Sequence, residues 1–207
     1  MFGVWNFGFG ACMKITSFDE VALFLNDGGI GVVPTDTLYG LVASALDREA
    51  VERVYHIRGR DEGKPCIVLI GGMDVLASFG IVLSDEERIT LSLLWPGKVS
   101  VIFPCPDTKR VYLHRGTGTI AFRVPDKSDL RELLRETGPL IAPSANPQGM
   151  PPAKTIEEAR TYFGDDADFY VDGGTLDSEP STVVRFTDGR LSVVREGAVK
   201  IEELSRG

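Results

Sequence analysis

Residues 30–40 read Ile30-Gly-Val-Val-Pro-Thr-Asp-Thr-Leu-Tyr-Gly40. Ile30 to Val33 is a short apolar run, which predicts a buried strand, and Pro34 stops it. The flanking sequence alternates with it. Upstream, Ser17-Phe-Asp-Glu20 has capping-box spacing ahead of Val21, Leu23, Phe24 and Leu25, and Asn26-Asp-Gly-Gly29 closes that helix. Downstream, Asp47 opens a helix with Val51, Val54, Tyr55 and Ile57 on one stripe, and Cys66 to Ile70 is the next buried strand. Ser84-Asp-Glu-Glu87 caps a helix through Leu94, which Trp95-Pro-Gly97 breaks. Val99–Phe103, Thr119–Val124, Pro139–Ala142 and Asp168–Val171 read as strands. Leu130, Leu133 and Leu134 mark a helix, and Thr155-Ile-Glu-Glu158 is a third capping box. Ser181–Phe186 and Leu191–Arg195 flank Thr187-Asp-Gly-Arg190, a hairpin signal. The order predicts one compact α/β domain with a mixed sheet.

Composition narrows the function classes. The 207 residues carry 43% hydrophobic and 25% charged side chains and a net charge of -8, with a pI near 4.9. An acidic surface repels polyphosphate backbones, so any anion site must be a local cluster of cations. Cys12, Cys66 and Cys105 are an odd, scattered set, which argues against a disulfide framework and fits a reducing compartment. With only His56 and His114 beside them, a Cys/His zinc site is not expected. Residues 1–12 are apolar and glycine-rich without Lys or Arg, so they do not read as a secretory signal. They read as an extension before a natural start at Met13, or as an arm packed on the domain.

Three stretches carry candidate chemistry. In Pro34–Gly40, two hydroxyls, a carboxylate and a phenol after a strand could hold an amino acid, though the same residues make an ordinary turn. Arg58-Gly-Arg-Asp-Glu-Gly-Lys-Pro65 places three cations at a helix C-terminus. A solvated cap on the helix dipole accounts for Arg58, whereas Arg60 and Lys64 lie beyond the last turn on a loop suited to a triphosphate. It is not a Walker loop. In Ala142-Pro-Ser-Ala-Asn-Pro-Gln-Gly149, a hydroxyl and an amide at a strand end can donate to phosphate oxygens. Arg123 lies inside an otherwise apolar strand and must be paired if buried. Ser181 and Arg195 also stand at strand ends. His114-Arg-Gly-Thr-Gly118 resembles a phosphate loop only loosely, and His56 reads as a surface or packing residue. No acid–base pair or nucleophile set stands out, so catalysis should rest on positioning and charge neutralisation.

These motifs in this order, PTDTLYGL, RGRDEGKP, LWPGKVSVIF, AFRVP, APSANPQGMPP, STVV and VREGAV, resemble the YrdC-like family of threonylcarbamoyl-AMP synthases from about Ile30 to Gly197. The resemblance implies a single YrdC-like catalytic domain over residues 13–207, the short form without the second domain of longer members. It implies a twisted mixed sheet flanked by helices around a concave ligand cavity. It further implies a cytoplasmic nucleotidyltransferase that joins L-threonine, bicarbonate and ATP into threonylcarbamoyl-AMP and pyrophosphate. Mg²⁺ would arrive with ATP, and the product would pass to a separate tRNA-modifying complex; direct tRNA contact is left open. Carried over by motif, Thr37, Arg123 and Ser181 would meet threonine. Arg58, Arg60, Lys64, Ser144, Asn146 and Arg195 would meet ATP, with Arg58, Arg60 and Lys64 stabilising charge. Arg58 stands where the family's motif has lysine, so a compact ammonium becomes a planar fork. The competing readings are a non-catalytic RNA- or ribosome-binding module on the same fold, and a carbamoyl-transfer domain indifferent to threonine.

Overall fold

A computed structural model of the protein describes residues 13–15, 18–59, 61, 63–187 and 190–201. The 1–12 extension, Ser17 as a cap, Arg60 and the Asp188-Gly189 turn lie outside the described residues. The strands are β1 (Met13–Ile15), β2 (Gly31–Pro34), β3 (Tyr39–Ser44), β4 (Ile67–Leu69), β5 (Val99–Pro104), β6 (Thr119–Arg123), β7 (Leu140–Ile141), β8 (Phe169–Val171), β9 (Thr182–Thr187) and β10 (Arg190–Arg195). The helices are α1 (Phe18–Asn26), α2 (Arg48–Arg58), α3 (Asp85–Leu94), α4 (Val111–His114), α5 (Ser128–Thr137) and α6 (Ile156–Phe163). Among the described residues the strands form one sheet in the order β1-β8-β2-β3-β7-β4-β6-β5-β9-β10. Four of its pairings are parallel, β1/β8, β2/β8, β4/β6 and β5/β9, so the sheet is mixed as the sequence predicts.

Local signals place the helices. Asp47 caps α2 by accepting from the Glu49 and Ala50 amides, and Gly59 ends it at φ 55°, a left-handed conformation that glycine takes without steric cost. At α3 the capping box is reciprocal: Ser84 accepts from the Glu87 amide, and the Glu87 carboxylate accepts from the Ser84 amide. The box at α6 is only half made. Thr155 accepts from the Glu158 amide, but the Glu158 carboxylate takes the Lys154 amide, one residue early. Strand β3 is absent from the sequence reading, which ends its fold signal at Pro34. Gly40, Ala43 and Ser44 have weak strand preference, and the strand forms because both of its faces are buried.

Both faces of the sheet carry a core, and successive residues alternate between them. Val32, Leu41, Val68 and Ile141 point into one core with α2, α3 and α6. Their neighbours Val33, Val42, Leu69 and Leu140 point into the other, against α1 and α5. Phe122, Val101 and Val184 belong to the first core, so Arg123, Ser100 and Val183 project from the opposite face. The second core contains no residue of β5, β6 or β9. On that stretch of sheet the first face is packed, and the other is where polar side chains gather.

Candidate functional site

The 34–40 segment sorts its polar groups into two kinds. Thr35 Oγ1 donates to the Leu38 carbonyl at 2.7 Å and accepts from the Thr37 and Leu38 amides at 3.1 and 3.2 Å. Tyr39 donates its hydroxyl to the Gly174 carbonyl and accepts from the Gly173 amide, both at 2.8 Å. These two groups fold the turn and dock it on the loop after β8, a structural role that the sequence reading left open. Asp36 and Thr37 face Arg123 instead. Arg123 Nη1 donates to Asp36 Oδ1 at 2.7 Å and to Thr37 Oγ1 at 3.3 Å.

Arg123 is buried, and so is the carboxylate it meets, with 5% and 3% of their side chains exposed. Asp36 also accepts from the Asp126 amide at 3.0 Å. Burial pushes the Arg123 guanidinium below its usual pKa, Asp36 works against that, and the charge of Arg195 adds to the depression. Two arginines thus share a field with one carboxylate. Arg123 Nε is buried without a hydrogen-bond partner, an arrangement that costs free energy unless an acceptor arrives. Two adjacent strands complete this half. Ser181 Oγ lies 2.9 Å from Ser100 Oγ, both buried, and Arg195 Nη2 donates to the Ser181 carbonyl at 2.7 Å. Gly197 lets the chain after β10 close on this point, because a Cβ there would overlap the Pro180 carbonyl oxygen. Arg123, Thr37, Ser181 and Arg195, four of the residues singled out in sequence, therefore meet.

A second cluster forms on the other side of the same turn. Gly40 pairs with Ser144 in an isolated antiparallel bridge, so the 34–40 segment joins both clusters. Arg58 is not the solvated helix cap expected from sequence: it is 4% exposed. Its Nε donates to the Asn146 carbonyl at 2.9 Å, and its Nη2 to Asn146 Oδ1 and Ser144 Oγ at 3.3 and 3.4 Å. Ser144 and Asn146, read from the sequence as donors to phosphate, here donate within the protein. Ser144 donates to Asn146 Oδ1 at 2.6 Å, and Asn146 Nδ2 donates to the Pro147 and Met150 carbonyls at 2.9 and 2.8 Å. Lys64 is exposed, with its ammonium 3.4 Å from Asp61. Its carbonyl accepts the Tyr55 hydroxyl at 2.8 Å. Gln148 Oε1 accepts from the Asp61 amide at 2.6 Å.

The His114 loop is a turn rather than a phosphate cradle. His114 Nδ1 accepts the Gly116 and Gly118 amides at 3.2 and 3.3 Å, which are the donors a phosphate would need. His56 is exposed on α2, as expected. It borders a groove of about 820 Å³ against Asp165 and Asp166, which none of the residues proposed from sequence lines. Sequence reasoning missed Ser100, Gln148 and Tyr55 as members of the site, and Asp36 as the partner of Arg123. Only Asp36 had a local signal, a carboxylate in a polar turn. Among the described residues no three His, Cys, Asp or Glu side chains form a group that could hold a metal ion, and no helix is long and apolar enough to cross a membrane.

Comparison with known proteins decides the family. The model for Sua5, YciO and YrdC proteins, described as "Telomere recombination", matches residues 23–197. The chain belongs to this family. Its relatives include a Mycobacterium tuberculosis protein 34% identical over 179 residues, 86% of this chain and 82% of that one, provisionally named a threonylcarbamoyl-AMP synthase. The Bacillus subtilis threonylcarbamoyl-AMP synthase is 32% identical over 188 residues, 89% of this chain and 54% of its own. Pyrococcus abyssi Sua5, solved in complex with L-threonine, superposes with a TM-score of 0.86 at 26% identity, over 95% of this chain and 60% of that one. The chain thus spans 54–60% of the length of these two longer Sua5-family members. As a family member it has the α/β fold and mixed sheet that the sequence predicts.

Proposed function

We propose that the protein is a threonylcarbamoyl-AMP synthase acting on L-threonine, bicarbonate and ATP. The observation that carries this reading is Arg123. It is a buried guanidinium with one N–H unpartnered and a second arginine in its field, within a chain of net charge -8. That is a donor site built for a small carboxylate, and a bidentate arginine suits one. Family membership supplies the substrate, since the relatives bear the synthase name and one neighbour was solved with L-threonine.

In this reading Arg123 holds the threonine carboxylate, while Thr37 and Ser181 offer hydroxyls to the rest of the amino acid. The threonine amine and bicarbonate give a carbamate and water. A carbamate oxygen then attacks the α-phosphorus of ATP, and pyrophosphate leaves with the electron pair of the broken P–O bond. The chain orients the two anions and offsets their charge, which is how nucleotidyl transfer is commonly catalysed. Arg60 and Lys64 supply cations to the phosphates, Arg195 sits between the two substrates, and the 144–149 loop borders the nucleotide. The Lys64–Asp61 pair is exposed, so exchanging Asp61 for phosphate costs little. Mg²⁺ enters as part of the ATP substrate, and the product is handed to a tRNA-modifying partner in the cytoplasm.

The test is pyrophosphate release by the purified protein with Mg²⁺-ATP, omitting threonine and bicarbonate in turn. Release that requires both is expected. Release indifferent to threonine would overturn the reading in favour of another carbamoyl chemistry. No release from folded protein would favour a binding module.

A further inference from the structure

Arg58 is the last residue of α2, and its side chain is turned inward. We propose that Arg58 is a positioning residue that shapes the 144–149 loop, and that it acts on ATP through geometry rather than through its charge. The inference rests on the proposal that this loop and the Lys64 loop border ATP.

Arg58 grips the loop at two points. Its Nε and Nη2 reach the backbone carbonyl and Oδ1 of Asn146, a planar two-pronged contact, while its own carbonyl accepts the Gln148 amide at 2.8 Å. Asn146 is 7% exposed, and its polar atoms are met from inside the protein. Ser144 and Arg58 donate to Oδ1, and Nδ2 donates to the carbonyls of Pro147 and Met150. The two Asn146 amide hydrogens and the Ser144 hydroxyl hydrogen are thus committed within the loop. The order created there passes onward, because Gln148 Oε1 accepts the Asp61 amide and so fixes the segment that carries Lys64. A lysine at position 58 would keep the charge, but an ammonium cannot present the flat pair of N–H groups that matches Asn146.

The experiment uses the full chain in four forms: wild type, Arg58→Lys, Asn146→Ala and the double variant. Mg²⁺-ATP affinity is read by calorimetry without threonine, and the ATP and threonine KM values by pyrophosphate release. Arg58→Lys is expected to weaken ATP binding about tenfold despite its retained charge, with the threonine KM unchanged within about twofold. The double variant should be no worse than the weaker single one, because both changes remove the contact between Arg58 Nη2 and Asn146 Oδ1. Wild-type ATP affinity in Arg58→Lys, or losses that multiply in the double variant, would overturn the proposal. A second readout is independent of activity. The Arg58 Nε–H, held by the Asn146 backbone carbonyl, should give a slowly exchanging nitrogen-15 resonance, and its protection should fall in Asn146→Ala as the loop around that carbonyl loosens. If the wild type neither binds ATP nor releases pyrophosphate, the proposed function fails, and this resonance alone decides. Its protection sustains the positioning role, and exchange as fast as that of a surface arginine defeats it.

Discussion

At Arg123 the cost of burying a charge is met by Asp36, and removing one member of such a pair typically destabilises by roughly 3–5 kcal/mol. Arg123→Ala should therefore lower the thermal midpoint and raise the threonine KM, with the ATP KM little changed. Losing a charged hydrogen bond of about 1.5–3 kcal/mol corresponds to roughly 10- to 150-fold. Adding Asp36→Asn should recover part of the stability and none of the threonine affinity. Differential scanning calorimetry with steady-state kinetics on both variants separates these effects, and a defect confined to ATP would place Arg123 elsewhere. Lys64→Ala gives the opposite pattern. Its pair with Asp61 is exposed, so the midpoint should hold to within the roughly 0.5 kcal/mol of an ordinary surface change, while the ATP KM rises by about tenfold or more.

The elements explain which of these facts could be read in advance. A cap answers to residues three positions away, so Asp47 and Ser84 were legible and Thr155 half so. Arg58 answers to Asn146, 88 residues on, and nothing near Arg58 in sequence signals its burial. Strand β3 was invisible for a related reason: β2 and β7 pair its edges, while its faces are buried by two cores assembled from elements along the whole chain. Glycine 197 in VREGAV was legible as a motif, while its cause, the Pro180 carbonyl, was not. Gly197→Ala should push the strand ends apart at Ser181 and raise the threonine KM, while α2 and its caps stay intact by amide hydrogen exchange. Tyr55 ties α2 to the Lys64 segment. Burial, reinforced by Cys66, pushes its phenol up to about 12. The folded state keeps that proton between pH 10 and 12 while the unfolded chain releases it, so the stability is complete below pH 10 and lost as pH rises toward 12. Urea unfolding at pH 9 and 11 should show a smaller alkaline loss in Tyr55→Phe than in wild type. Some loss remains, since burial raises Tyr39 and Tyr112 as well.

Over the whole molecule, charge and topology pull against each other. A net charge of -8 repels nucleic acid at long range, while Arg123 and Arg195 gather positive charge at one spot on the sheet. Titration with unmodified RNA at physiological salt should detect no binding, and binding that weakens steeply with salt would revive the RNA-module reading. The fold class and the mixed sheet were legible in the sequence, because they rest on periodicity and ordered motifs, and the same motifs named the residues now proposed for the site. The division into two clusters joined at Gly40 and Ser144 was not, since it depends on strand order.

That strand order also sets a timetable. Asp36 and Thr37 leave the ribosome early, Arg123 midway, and Ser181 and Arg195 only with the last hairpin, which lies at the far edge of the sheet. A growing chain can lay down its central strands, the second core and most of the first before then. The amino-acid pocket as proposed cannot close until residue 195 is made, so synthesis interrupted at the last hairpin would leave a largely folded protein with no means of holding threonine.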